Sequence, residues 1–434
     1  QMSEDSRMQT EMTNRVRRSI VDAYVVSAEL GAFNGVSGKA LLKWTGDELL
    51  LRKILEMLIK EDDFSVSFAS IDINPHIKRL PELPPNEQIK LLQTEKLAEF
   101  CVYPSAAAVM QHENLPDFTT KPFSQMLLQV KAQLDFVCFE LQVLSRYTED
   151  PRYSLDFGDY MGDLSISDKC YLDQDFSERD KVGLQTFGLG FDTQKNPVVV
   201  VFLRYLANLS PEHQQYWNSF RFSGEAWPSK PYYESSFEGN FWDNRSLRYA
   251  ISEEIRVIRQ MTLAAWGTPL FRQELPILGA IELTAFQLPT QKNFDSFVHS
   301  LDKVLSENID KNFFKGRVRQ KDEIISNGGE REVRNRGSLA MLEEWLRCTV
   351  NWESEEKFRE IIIAPLETVR RLRQKPAHGF TLNSHSGDFT KKRRKLLWDV
   401  YNSLANMRRA FQTYAPCSSI EIPEWLDSEQ IDVF

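Results

Sequence analysis

The sequence is poor in the residues that form metal sites and disulfides. It has only six histidines, and its five cysteines are scattered without a CxxC pair. Because zinc sites and disulfide frameworks need closely spaced cysteines or histidines, we expect neither of them, and we expect no metal or other cofactor. Scattered cysteines are typical of a reducing compartment, so we expect a cytoplasmic protein.

Long apolar runs are also missing from the sequence. No stretch approaches the about 18 consecutive apolar residues of a transmembrane helix, and residues 1–24 lack the apolar core of a secretory signal. We therefore expect no membrane partner. The apolar fraction of 42% is nevertheless enough to build cores, and a chain of 434 residues predicts two or three domains.

The pattern of apolar residues changes twice along the chain. Residues 1–150 are rich in helical periodicity, residues 151–290 contain β-branched and aromatic runs between Gly, Pro, Asp and Asn, and residues 291–434 are helical again. The fold class is therefore predicted to be mixed. We expect an α-rich N-terminal region, an α/β middle domain with a mixed sheet, and an all-α C-terminal bundle of four to five helices.

Several individual elements follow from these patterns. Apolar residues at three- and four-residue steps predict one long helix from Phe123 to Leu144. Strands are predicted within 62–74, 154–167, 181–192, 196–206 and 274–288. The polar segment 315–337 is predicted to be a mobile loop or a flexible junction.

Two helices are predicted near the C-terminus. The first has Ser354 as a plausible N-cap and should be kinked at Pro365. The second begins at Asp388 or Thr390. Its apolar stripe consists of Leu397, Val400, Leu404, Met407 and Phe411.

The segment GAFNGVSGKALL has the glycines of a nucleotide-binding loop but not its spacing. A P-loop needs Gly, four residues, then Gly-Lys and a Ser or Thr. Phe33 stands where the first Gly belongs, Ala40 replaces the hydroxyl residue, and no apolar strand precedes the segment. We interpret it as a glycine-rich turn before a helix.

An aromatic segment allows two interpretations. Residues 212–244 include Trp217, Trp227 and Trp242 with several Phe and Tyr residues. Aromatic side chains between charges are typical of stacking platforms for single-stranded nucleic acids. The simpler interpretation, which we favour, is that these aromatic residues pack a long loop onto the sheet.

Positive charge is concentrated near the C-terminus. Residues 365–414 contain eleven basic and three acidic residues, a local excess of +8 in a chain whose net charge is −9. Such a patch is typical of a surface that binds a polyanion, or else of helices paired with acidic residues elsewhere in the molecule. The residues that we expect to bind RNA are Lys375, Lys391, Lys392, Arg393 and Arg394.

An arginine–histidine motif lies inside this patch. Arg373 precedes His378 with four residues between them, and Arg371 precedes it with six. RNA cleavage without a metal needs a group that takes the 2′-hydroxyl proton and a cation that stabilises charge on the phosphate. Histidine and arginine suit these two tasks. Because Pro376 should end the helix before His378, we expect the imidazole beside the arginines at a helix end.

This arrangement resembles the HEPN superfamily, whose small helical bundles carry an R-x4-6-H motif. The resemblance covers roughly the last 130 residues. It implies a metal-independent endoribonuclease of antiviral defence or toxin-like RNA cleavage, in which Arg373 stabilises the phosphate, His378 is the acid–base group and Arg371 can replace Arg373. It also implies a homodimer or higher homo-oligomer, because the motifs of two protomers usually form one composite site.

A second hypothesis involves no catalysis. The basic helices would hold RNA or a protein partner, and the bundle would serve dimerisation. The two hypotheses differ in geometry, because an enzyme needs His378 and an arginine exposed in one cleft, whereas a binding module does not. Under the ribonuclease hypothesis we expect the N-terminal two-thirds to sense or regulate.

Overall fold

The computed structural model of the chain describes residues 4–28, 31–71, 74–78, 80–172, 177–240, 245–274, 281–325, 331–374, 382–427 and 431–432. The chain divides into two compact units, the first made of Gln1–Asp156 and Met161–Asn240 and the second of Phe157–Tyr160 and Phe241–Phe434. Helices and antiparallel strands occur together, which confirms the mixed fold class. The three predicted segments 1–150, 151–290 and 291–434 stay a prediction.

The first unit contains eleven described helices and nine described strands. The helices are α1 (Glu4–Ala28), α2 (Gly38–Thr45), α3 (Glu48–Lys60), α4 (Pro85–Thr94), α5 (Ala106–Met110), α6 (Pro122–Leu128), α7 (Ser145–Thr148), α8 (Asp168–Tyr171), α9 (Leu203–Ala207), α10 (Pro211–Ser219) and α11 (Lys230–Ser236). The strands are β1 (Val36–Ser37), β2 (Phe64–Phe68), β3 (Phe100–Pro104), β4 (Phe136–Phe139), β5 (Tyr153–Phe157), β6 (Met161–Ile166), β7 (Gly183–Asp192), β8 (Pro197–Phe202) and β9 (Ala226–Pro228). Short 3-10 turns occur at Leu141–Leu144 and Glu178–Asp180.

Two sheets organise this unit. The smaller sheet has the strand order β1-β3-β2, with both pairs antiparallel. The larger has the order β4-β8-β7-β6-β5, and β9 pairs with β7. All four valines of β8 are buried, as expected for a strand that is covered on both faces.

The glycine-rich segment is a turn before a helix, as the sequence predicts. The glycine-rich turn leads into α2, where the Ser37 hydroxyl caps the helix by accepting from the Ala40 N–H. Gly31 and Gly35 have positive φ angles, which favour glycine.

In the aromatic segment 212–244, Trp217 of α10 is fully buried and Trp227 is 53% exposed, while Trp242 lies outside the described residues.

The second unit is built on six described helices. These are α12 (Leu247–Trp266), α13 (Gln291–Val304), α14 (Ser338–Thr349), α15 (Glu355–Phe358), α16 (Ala364–Gln374) and α17 (Asp388–Gln412), with 3-10 turns at Ile281–Leu283, Lys311–Phe314, Ala415–Cys417 and Glu424–Asp427. Helix α12 packs along α17, and α13 packs against α16. The predicted stripe of α17 is buried in their common core, so that prediction is confirmed.

Four described strands belong to the same unit. They are β10 (Arg245–Ser246), β11 (Lys321–Ile325), β12 (Arg331–Asn335) and β13 (Ile431–Asp432). Strands β11 and β12 form an antiparallel hairpin, and β10 pairs with β13 in parallel. The segment 315–337, predicted to be a mobile loop or a flexible junction, thus contains two paired strands in its described part, so the loop prediction is wrong for those strands.

The predicted long helix from Phe123 to Leu144 is also wrong. Helix α6 ends at Leu128, and Val130 has φ 59°, a conformation outside the α-helical region. The following residues form β4, which pairs with β8. The predicted strand 274–288 is wrong in its described part, where Ile281–Leu283 is a 3-10 turn, and 275–280 lies outside the described residues.

The helix around Pro365 is irregular where the sequence predicts a kink. Ser354 caps its start by accepting from the Lys357 N–H. A π-helical turn, Arg359–Ile363, then joins α15 to α16. Because Pro365 has no N–H to donate to the carbonyl four residues before it, the α-helical ladder is interrupted, and the Ala364 N–H instead bonds the Arg359 carbonyl.

No helix within the described ranges is long and apolar enough to cross a membrane.

Candidate functional site

The arginines of the predicted motif lie at the carboxyl end of α16. Arg371 and Arg373 are in its last described turn, and Gln374 is its last described residue. Pro376, where the sequence predicts the end of the helix, lies outside the described residues. Cations in this position interact favourably with the helix dipole. His378 and Lys375 lie outside the described residues, so the distance from the arginines to the imidazole stays a prediction.

Arg373 is held by two carboxylates. Its Nη1 lies 2.5 Å from Oδ2 of Asp302, a residue of α13 with no exposed side-chain surface, and it also bonds Glu307. The hydrogen bonds from Asp302 and Glu307 raise the pKa of Arg373 further above its already high value. Arg373 is therefore a charged group whose charge is already compensated.

Asp302 joins a second arginine of the same helix. Arg370 Nη1 lies 2.7 Å from Asp302 Oδ2, and the Ser306 hydroxyl donates to Asp302 Oδ1. Removing one partner of a buried ion pair lowers the free energy of unfolding by about 3–5 kcal/mol. A phosphate group would therefore displace the exposed Glu307 from Arg373 more readily than the buried Asp302.

Arg371 is in a different position. Its side chain is exposed, and within the described residues it forms no hydrogen bond or ion pair. It is therefore the motif arginine that can meet a phosphate without first losing a carboxylate. This reverses the order expected from the sequence, where Arg373 comes first and Arg371 is the substitute.

The predicted RNA-binding residues of α17 divide into two pairs. Lys391 and Lys392 are exposed in its first turns; the Lys391 ammonium lies 4.0 Å from Asp388, and that of Lys392 lies 5.3 Å from the centre of the Phe389 ring. Such exposed pairs contribute little energy, so both ammonium groups can contact a polyanion.

Arg393 and Arg394 are much less available. The Arg393 guanidinium lies 4.9 Å from the centre of the Phe297 ring and donates to the Thr284 carbonyl. Burial, with smaller contributions from the nearby Arg248 and Arg394, lowers the pKa of Arg393 to about 10. Burial also lowers the pKa of Arg394, which is half-buried. We therefore count neither among the exposed cations.

Acidic residues compensate much of the predicted patch. Arg408 is fully buried between Glu254 and Asp427, and Arg409 also pairs with Asp427. Together with Asp302 and Glu307, four acidic residues from outside 365–414 offset half of the local excess of +8. Four basic residues of the patch therefore fit the alternative interpretation, in which the basic helices pair with acidic residues elsewhere in the molecule. They are Arg370, Arg373, Arg408 and Arg409.

One polar cluster in the first unit has no clear signal in the sequence. His76 lines a pocket beside β2, and its Nε2 lies 2.7 Å from the Ser65 hydroxyl oxygen. The two residues are eleven positions apart and match no motif. Of the described histidine, cysteine and acidic side chains, no three are placed to hold a metal ion.

Comparison with known proteins gives no further assignment. No protein-family model, no curated protein and no solved structure matches the chain.

Proposed function

We propose that the helices of the second unit form a HEPN-like domain that cleaves RNA without a metal ion, in antiviral defence or in toxin-like RNA cleavage. The single observation that supports this most is the state of Arg371. It is an exposed guanidinium in the last described turn of a helix, with six residues between it and His378. A charged, uncompensated arginine is what a phosphate needs.

The chemistry would use this chain's own groups. The neutral His378 imidazole takes the proton of a ribose 2′-hydroxyl, whose oxygen then forms a bond to the adjacent phosphorus. Arg371 stabilises the charge that grows on the phosphate oxygens. The bond from phosphorus to the 5′-oxygen breaks, and the imidazolium returns its proton to that leaving oxygen. The products are a 2′,3′-cyclic phosphate and a 5′-hydroxyl.

Arg373 has a positioning role in this proposal. Its bonds to Asp302 and Glu307 fix the end of α16 against α13, and this fixes the direction in which Arg371 leaves the helix. Lys391 and Lys392 would contact neighbouring phosphates, with Lys375 as a further candidate. The proposal includes a homodimer that brings two such helix ends together, in line with the resemblance.

We expect His378→Ala and Arg371→Ala each to lower RNA cleavage by at least about 100-fold, since one general base or one charge-stabilising donor contributes on that order. The measurement is cleavage of a labelled single-stranded RNA and of total RNA by the purified full chain in excess EDTA, with analysis of the 3′ ends. Arg15→Ala, an exposed arginine in α1, is the matched control. Arg373→Ala should also lower thermal stability, which Arg371→Ala should not.

Equal cleavage by wild type and His378→Ala, or a requirement for magnesium, would refute the mechanism. A second candidate is a non-catalytic RNA- or protein-binding bundle that dimerises, and the pairing of the motif arginine Arg373 with Asp302 and Glu307 favours it over catalysis. It predicts RNA binding or dimerisation that His378→Ala leaves unchanged, with no cleavage by either protein.

A further inference from the structure

The pocket beside β2 in the first unit has apolar walls and a few polar groups. It lies between the edge strand β2 and a wall formed by residues 71, 75, 76, 81–83 and 88, and its cavity volume is about 70 Å³. That is well below the about 300–1,000 Å³ of pockets for drug-sized ligands, so the pocket has room only for a ligand of a few heavy atoms. Its apolar walls come from Val66, Phe68, Ile71, Pro75, Pro81 and Leu83.

His76 is held rigidly at this pocket. Its ring stacks on the Tyr103 ring, with centroids 3.9 Å apart and planes at 2°. Its backbone N–H donates to Asn74 Oδ1 at 3.0 Å, and its carbonyl accepts from the Gln133 N–H at 3.1 Å. Burial lowers the pKa of His76 to about 4, so the imidazole is neutral at pH 7.

Glu82 is the charged group at the mouth of the pocket. Its Oε1 lies 3.7 Å from His76 Nε2, and its side chain is 51% exposed. Because His76 is neutral, this contact is no ion pair, and among the described residues Glu82 contacts no lysine or arginine. Burial, and secondarily the nearby Asp62, raises the pKa of Glu82.

The other polar groups of the pocket offer acceptors rather than free donors. Ser65 Oγ lies 2.7 Å from His76 Nε2, and in either imidazole tautomer the serine oxygen keeps a lone pair for an incoming donor. The Gln88 amide is already engaged, since it accepts from the Val66 N–H and donates to the Leu83 carbonyl. Among the described residues of the pocket, a phosphate or carboxylate would meet Glu82 and no cation.

We propose that this pocket binds a small primary amine, with the apolar body of the amine against the pocket wall and its ammonium group donating to Glu82 and Ser65. An ammonium has three donors and no acceptor, which matches a carboxylate and a hydroxyl oxygen beside the same imidazole. The inference goes beyond the ribonuclease and does not depend on it. It gives the first unit a ligand site of its own.

The test is isothermal titration calorimetry of the full chain at pH 7 with three small probes of similar shape: propylammonium chloride, 1-propanol and sodium propionate. We expect the ammonium to bind about tenfold more tightly than the alcohol, since hydrogen bonds between charged groups are stronger than those between neutral groups, and we expect no binding of the carboxylate. Glu82→Gln should reduce ammonium binding to the level of the alcohol. Glu87→Gln, an exposed carboxylate of α4 outside the pocket, should leave it unchanged.

Three results would overturn the proposal: no binding of the ammonium, equal binding of the alcohol, or undiminished ammonium binding by Glu82→Gln. Because Glu82 is half exposed, its replacement should leave the thermal melting curve unchanged, so a loss of binding reports on the pocket. Ser65→Ala serves as a second variant, and a several-fold loss of ammonium affinity is the result that supports the hydroxyl contact.

Discussion

The availability of an arginine for a phosphate depends on what already contacts its guanidinium. Arg371 and Arg373 lie two residues apart in one helix turn, yet one is exposed and the other bonds a buried carboxylate. Their residue type and spacing to His378 do not distinguish them. Asp302 and Glu307 precede Arg373 by 71 and 66 residues, so no local pattern predicts these pairs.

The buried pair of Arg408 and Glu254 gives the sharpest prediction at the residue scale. Both side chains have no exposed surface, and Arg408 Nε lies 2.7 Å from Glu254 Oε2. We expect Arg408→Met to destabilise the second unit by about 3–5 kcal/mol, because Glu254 then keeps a buried charge without a partner. Urea denaturation followed by circular dichroism measures the change.

The neighbouring Arg409 supplies the control for this prediction. Arg409 pairs with Asp427, as Arg408 also does, but its side chain is 49% exposed. Arg409→Met should therefore lower the free energy of unfolding by less than about 1 kcal/mol. Replacing both buried partners, in Arg408→Met with Glu254→Met, should recover part of the loss, since no isolated charge remains. Equal stabilities of the two single variants would contradict this account of Arg408.

At the scale of elements, hydrophobic periodicity predicts long regular elements well and mixed segments poorly. The stripe of α17 is predicted because one face of a long helix repeats at three- and four-residue steps. The same spacing between Phe123 and Leu144 comes from a short helix, a turn at Val130 and the strand β4. Spacing alone cannot separate these cases, since pairing of β4 with β8 is a non-local interaction.

In strand β7, Gly188 leaves room for a neighbouring side chain. A Cβ at Gly188 would lie 2.0 Å from the ring of Tyr232, which is fully buried. We expect Gly188→Ala to destabilise the first unit by about 1–3 kcal/mol, the usual cost of overpacking. Thermal denaturation measures it.

The same strand provides the matched variant. A Cβ at Gly183 meets nothing within 4 Å, and alanine loses less conformational freedom on folding than glycine does. Gly183→Ala should therefore be neutral or slightly stabilising. If both alanine variants had the same melting temperature, close contact with Tyr232 would not be the reason for glycine at position 188.

At the scale of the whole molecule, charge compensation limits how strongly electrostatics can drive RNA binding. The chain carries −9 overall, and the ion pairs of Arg370, Arg373, Arg408 and Arg409 remove most of the arginines from the predicted patch. The exposed cations in the described part of the patch that have no carboxylate nearer than 4.0 Å are Arg371, Lys391 and Lys392, whereas the exposed Lys395 and Arg409 have close carboxylate partners. Sequence counts of charge cannot reveal this, because they ignore how distant segments pair on folding.

The salt dependence of RNA binding tests this compensation. If those three cations and Lys375 contact phosphates, the slope of log K against log salt should be about −3 per chain, whereas use of all eleven basic residues would give about −8. Fluorescence anisotropy with an uncleavable 2′-O-methyl strand measures it. Lys392→Ala should reduce the slope by about 0.7, and Lys395→Ala, whose ammonium lies 2.8 Å from Asp399, should change it less. A slope near −8 would mean that RNA displaces Asp302 and Glu307 from their arginines, and Arg373 would then return as the arginine that contacts the phosphate.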